Sequence, residues 1–378
     1  MLVYLVRFPL GGMAWHYLQY AMGLKKLGHD VLVIEDSEGY PCCYDPSRHV
    51  TDTDPTYGLA FADKVLERVG LGGQWAYHNA HASKWHGACA GDAVEFCESA
   101  DLLINISGAN PIRPWLKPIP HRVLIDTDPV FEQVRQLTVP DRRERAEMHN
   151  AYFSFGENVG TPDWAVPDDG WPWRRTRQPI VLDAWPVTPL PKAAALTTVM
   201  QWDSYPAREY DGKYYGLKAQ SFEPYFDLPG RCPDVGIELA LGSPDAPRDK
   251  LEAHGWRLSD PLEATSDPWT YQSFIQRSLG EFSVAKHGYV AANTGWFSER
   301  SACYLASGRP VIVQDTGFSN HLPTGRGLLS FTTPDEAADC IHRVLSDPAG
   351  HAKAAREVAE THFDSDVVLT QLLNDLEA

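Results

Sequence analysis

Residues 286–317 read KHGYVAANTGWFSERSACYLASGRPVIVQDTG and hold the densest set of groups in the chain able to grip an anion. Lys286 and His287 supply cationic company. The polar turn Asn293-Thr294-Gly295 is expected to deliver backbone amides to a helix N-terminus, where unpaired N–H groups and the helix dipole favour negative charge. Ser298 is a good N-cap residue for that helix. Ala302, Leu305 and Ala306 give it an apolar stripe at helical spacing, and Gly308 ends it. Pro310-Val-Ile-Val then reads as a strand buried inside a parallel sheet. Glu299, at the first helical position, either binds a ligand or complements the dipole. Because a Glu beside a phosphate is repulsive by itself, Lys286 and Arg300 are required near it. The implied chemistry is binding of a phosphate.

Further candidates lie where predicted strands end. Leu2–Val6, a loop from Phe8 to Ala14, a helix over Trp15–Leu27 and a strand over Asp30–Ile34 form one βαβ unit. Gly11-Gly12 make its turn tight but lack the G-x-G-x-x-G spacing of a dinucleotide site. His16, in the first turn of the helix, resists protonation there, which suits a general base near neutral pH. His121–Ile125 is a buried strand ending in Asp126-Thr-Asp128-Pro. Ligands of open parallel sheets bind outside the carboxyl ends of strands. Asp126 and Asp128 therefore face a cleft as base or hydroxyl ligands, with helix capping as the alternative for Asp128. His78, His81, His86, Cys89 and Cys97 fit no compact four-ligand metal pattern, and the segment reads as a mobile loop. Prolines recur from 162 to 191 and mark an extended connector. Its aromatic-basic patch, 171–177, is read as pinned on its own domain. Lys218 is read as a solvated helix residue. Residues 365–378 form an amphipathic helix that needs a partner surface.

The segment GWFSERSACYLASGRPVIVQDTG resembles the donor-binding segment of nucleotide-sugar-dependent glycosyltransferases of the GT-B fold. The resemblance implies an α/β protein with two Rossmann-like domains facing a cleft. Residues 1–185 would be the acceptor side, 186–362 the nucleotide-sugar domain, and 363–378 a helix packing back on the first domain. It further implies that Gly11 and Gly12 face the cleft near the acceptor. Asp260 would lie near the nucleotide base, and Asp315 and Thr316 near the donor sugar. All three are also turn-forming. The family's ribose-binding Glu position holds Cys303, and Glu299 stands four residues earlier, about one helical turn toward the phosphate end. The family needs no metal and no cofactor beyond the nucleotide sugar itself.

With 378 residues the chain has room for about two cores. A formal charge of −17 argues against nucleic acid and anionic membranes as partners. Seven cysteines without a tight framework suggest free thiols in a reducing compartment. No apolar run reaches the ~18 residues of a spanning helix. The expectation is a cytoplasmic glycosyltransferase moving a sugar from a nucleotide diphosphate to a hydroxyl, with His16 or Asp126 as base if configuration inverts. A nucleotide-sugar epimerase of the same fold and a non-catalytic nucleotide-binding protein are the alternatives. Sequence leaves base, sugar, acceptor and oligomeric state open.

Overall fold

The structure is a computed structural model that describes residues 1–192 and 194–377; Ala193 and Ala378, the latter the last residue of the expected returning helix, lie outside the described residues. Two parallel-rich sheets organise it. In the C-terminal half six parallel strands stand in the order Arg257–Ser259, Ile237–Gly242, Leu196–Gln201, Gly280–Ser283, Val311–Gln314, Leu328–Phe331. Numbered by position in that half, the order is 3-2-1-4-5-6, the doubly wound Rossmann arrangement. These strands are runs of buried Val, Ile, Leu and Phe because helices cover both faces. The order reverses between Leu196–Gln201 and Gly280–Ser283, so a crevice opens beyond Gln201 and Ser283.

The N-terminal half sets Val33–Asp36 parallel to Trp75–Asn79 on one side. On the other, Leu102–Ile106, His121–Asp126 and Ala151–Ser154 run parallel to one another. Leu2 bridges the two groups by pairing with both Ile34 and Asn105. The expected strand Leu2–Val6 is not regular beyond that bridge. The carboxylate of Glu35 takes its place as partner, accepting from the amides of Leu5 (2.6 Å), Val6 (2.7 Å) and Arg7 (2.8 Å). The expected mobile loop over 74–97 is instead an antiparallel pair, Trp75–Asn79 with Lys84–His86. Its His78 is bonded to Asp36 at 2.7 Å.

The first helix spans Gly11–Lys26, beginning earlier than expected. It packs between the last helix, Ser365–Glu377, and the helix Pro268–Gln276 of the other half. Leu369 is buried against Gly23, and Lys26 pairs with Asp366 at 3.0 Å. The chain therefore does return to its first half. The proline-rich connector is mostly irregular yet anchored, since Ile180 and Trp185 are fully buried and Trp185 packs on Trp15 at 5.0 Å. Ile180 pairs with the returning segment: its amide donates to Phe363 (2.6 Å) and its carbonyl accepts from Ser365 (2.8 Å). Trp171 stacks on Tyr152 at 4.8 Å and stays on its own half. No helix among the described residues is long and apolar enough to cross a membrane.

Candidate active site

A cleft of about 870 Å³ lies between the halves, at the crevice that the strand order dictates. His16, Gly12 and Phe155 reach it from the N-terminal half, and Gln201, Asp260 and Glu299 from the C-terminal half. A narrow recess behind it is lined by Lys218, Ser283, Ser301 and Thr316, and the two share Trp296, Ser298 and Arg300.

The helix Glu299–Ala306 starts at this junction. Ser298 has the extended backbone of an N-cap, but its hydroxyl caps nothing. Among the described residues no hydrogen bond leaves the amides of Glu299, Arg300 or Ser301, and the buried Ser301 hydroxyl also lacks a partner. Free first-turn amides at a cleft are an anion site. The expected turn is a different matter. The amides of Asn293, Thr294 and Gly295 donate to the carbonyls of Val290 (3.1 Å), Tyr289 (3.1 Å) and Thr316 (2.7 Å). Asn158 donates its own amide to Thr294, and Gly156 bridges to Trp296, so 293–296 is a seam between the halves. Gly295 is tight there, with φ of 71°. The free amides thus lie one step downstream of the expected ones.

Cationic company changes identity in the same way. Lys286 does not line the cleft. Its ammonium donates to Asp128 at 2.9 Å and to the Tyr205 hydroxyl at 2.6 Å, among the rings of Phe131, Tyr205 and Tyr289. Asp128 also accepts from the hydroxyls of Tyr205 and Tyr289. Burial alone would raise Asp128, but Lys286 and the two phenols outweigh it and hold the carboxyl below its usual range. Both residues form an interdomain clamp, and neither lines the cleft or the recess. Lys218 occupies the place expected of Lys286. It is partly buried rather than on a solvated face, and no hydrogen bond from its ammonium is found among the described residues. Burial, then repulsion from Arg300, pushes it well below the usual lysine range. A nearby anion reverses both penalties. The signal for it was faint: a lysine one residue after Gly216-Leu217, at the start of a short helix.

Arg300 lies in the site, and it does not pair with Glu299. It donates to Glu281 (2.6 Å), the Val199 carbonyl (3.0 Å) and Ser283 (2.8 Å). Three of its five N–H groups are used in this way, and two remain. Glu299 is in the cleft wall, and burial pushes its carboxyl up to about 7 while the Cys303 thiol donates to it at 3.1 Å. The acid one turn early and the cysteine in the family's Glu position are therefore a bonded pair. Asp260 caps the helix Pro261–Thr265 through Leu262 (2.8 Å) while facing the cleft. Thr316 lines the recess and donates to Trp296 O at 2.6 Å. Asp315 lines neither space, because it is spent on the turn, accepting from Gly317 (2.8 Å) and Ser319.

On the opposite wall, His16 sits in the second turn of its helix. Burial lowers its imidazole to about 4, so it is neutral at working pH. Asp126 is not on the wall. Its carboxylate accepts from the Asp128 amide (2.8 Å), Gln133 (3.0 Å) and Ser154 (2.7 Å). Burial drives it up to about 7 against those bonds. That engagement makes it a strand-end hub set back from the cleft lining. Gly11 and Gly12 form the first helical turn and not a loop; Gly12 lines the cleft, and a methyl on Gly11 would overlap the Asp267 carbonyl. Arg248 and Ser243, which no sequence pattern marked, complete the C-terminal wall, with Arg248 bonded to the carbonyls of Leu241 (2.7 Å) and Ser243 (2.9 Å).

The sequence matches no protein family and no curated protein. Among solved structures, HepE of Anabaena in complex with UDP-glucose superposes with a TM-score of 0.61 at 13% identity, over 100% of this chain and 98% of that one. An alpha-glucosyltransferase in complex with UDP gives 0.61 at 9% identity, over 100% and 98%. The same enzyme with UDP and a 13-mer DNA gives 0.56 at 10% identity, with the same coverage. The chain has the GT-B fold. The two halves and the cleft between them are those of that architecture, and the free amides at Glu299–Ser301 stand on its C-terminal wall.

Proposed function

We propose that this chain transfers a sugar from a nucleotide diphosphate donor to a hydroxyl-bearing acceptor. The observation that carries the reading is the uncapped start of the helix at Glu299, with the unpaired Lys218 and the pinned Arg300 beside it. Together they offer amides and two cations where a diphosphate leaves, in a site already arranged before the reaction. The acceptor oxygen bonds to the anomeric carbon, the bond from that carbon to the diphosphate oxygen breaks, and the hydroxyl proton passes to His16 or to the departing diphosphate. With amides, Lys218 and Arg300 meeting the diphosphate charge, we hold the reaction to be metal-independent. Residues 1–185 form the acceptor domain in this reading, 186–362 the donor domain, and 363–378 the returning helix. The seven cysteines, all free among the described residues, fit a cytoplasmic setting.

UDP is the first donor nucleotide to test, because HepE and the alpha-glucosyltransferase were solved with it. A thermal-shift screen of UDP, GDP, TDP and CDP is expected to raise the melting temperature with one of them, since a native-state ligand stabilises by mass action. No shift with any of the four at millimolar concentration rejects the proposal.

A further inference from the structure

The two walls of the cleft differ in charge. The C-terminal wall carries Arg248, Asp260, Glu299 and Arg300. The N-terminal wall is built around His16 from Phe8, Leu10, Met13, Tyr44 and Phe155, and it also carries the exposed His49 and Thr51; among the described residues it includes no Asp, Glu, Asn, Gln, Lys or Arg. Phe8, Leu10, Met13 and Tyr44 stay partly exposed, so they present apolar surface to the cleft. Tyr44 stacks on Phe8 at 5.3 Å, which stacks in turn on Tyr4 at 5.9 Å, making a continuous aromatic platform. Two of the hydroxyls on this wall, Ser107 and Thr127, satisfy each other at 2.6 Å.

This composition decides between acceptor classes. A saccharide acceptor brings several hydroxyls that lose water on entry and need carboxylate, amide or guanidinium partners; leaving them unpaired against apolar walls is costly. A phosphorylated or nucleic-acid acceptor needs lysines and arginines, which the wall lacks, and the chain carries a charge of −17. An apolar body with few polar points fits: pockets of this kind bury a ligand on apolar side chains and orient it with a few polar groups. His16, neutral and within the wall, is such a point. We infer that the acceptor is an uncharged alcohol or phenol whose hydroxyl is carried on an apolar ring, the ring lying on the Phe8–Tyr44 platform and the hydroxyl meeting His16. That the hydroxyl receives a sugar rests on the transferase reading above; the preference for an uncharged ring does not.

The test is calorimetric titration of the full chain, with and without saturating UDP, using naphthol, naphthyl phosphate and methyl glucoside as probes. Naphthol is expected to bind at least tenfold more tightly than either of the others. Met13→Glu, which places a carboxylate in the wall, is expected to weaken naphthol at least tenfold while leaving UDP affinity unchanged. Leu10→Ser provides a second variant that removes apolar surface while supplying a favoured N-cap residue to the first helix, and is expected to weaken naphthol severalfold. Equal or tighter binding of methyl glucoside or naphthyl phosphate overturns the inference. So does naphthol binding that neither variant changes. Failure of UDP to bind counts against the donor reading alone, because the comparison of probes is also made on UDP-free protein.

Discussion

Lys286 and Asp128 form an ion pair at 2.9 Å that joins the two halves of the molecule across 158 residues of sequence. Each sits at the carboxyl end of a parallel strand in its own half, and the hydroxyls of Tyr205 and Tyr289 complete the pair. Val130, a β-branched residue held at φ of 71°, bends the chain just after Asp128.

Breaking this pair by Lys286→Met leaves Asp128 partly buried without its cation. The expected loss of stability is about 3 kcal/mol, at the lower end for a buried pair because both side chains keep some exposure. Chemical denaturation measures it. The ratio of diphosphate to nucleoside affinity is expected to stay unchanged, and a selective loss of diphosphate affinity would return Lys286 to the donor site.

Lys218→Ala is the opposite case. Removing one charge-assisted contact of about 1.5–3 kcal/mol is expected to weaken nucleoside diphosphate binding roughly 10- to 100-fold. Affinity for the free nucleoside is expected to be untouched. Titration of both ligands into the variant gives the answer, and equal losses would mean that Lys218 only supports the fold.

Glu299 makes the system pH-dependent. Its folded value of about 7 stands above the ordinary glutamate value, so the folded chain holds this proton more tightly than the unfolded one. Its contribution to stability is complete below the ordinary value and is lost as the pH rises to about 7. A diphosphate nearby strengthens the hold on that proton. UDP affinity is therefore expected to fall, by about tenfold, as the pH rises from 6 to 9. Glu299→Gln is expected to flatten both slopes, and unchanged slopes would place Glu299 away from the ligand.

His16→Ala is expected to lower kcat about 100-fold while sparing donor affinity. Because burial keeps the imidazole near 4, the native enzyme is expected to show no histidine inflection between about pH 5 and 8. A native profile with an inflection near 6.5 that the variant abolishes would show the cleft to be wetter at His16 than its burial implies.

Strand and helix periodicity is local, and it was enough to read the alternating strands and helices of both halves, the helix after Ser298 and an amphipathic last helix; that this helix returns to the first half was implied by the GT-B resemblance. Pairings between distant residues leave no such trace. Lys286 and Lys218 look alike in sequence, each near a turn before a helix, and only the fold puts Asp128 beside the former and the free amides beside the latter. For the same reason Asn293–Gly295 read as free amides. Their acceptors include Thr316, far along the chain, while Asn158 packs from the other half. Leu2–Val6 misled differently: its apolar run is a strand pattern, but the buried Glu35 supplies the bonds that a neighbouring strand would have made.

The polypeptide passes between the halves twice, and at Ile180 and Asp364 the outgoing and incoming passages are stitched together by two main-chain bonds. The two crossings are thereby held side by side, and the Lys286–Asp128 pair fastens the halves at a second, separate point.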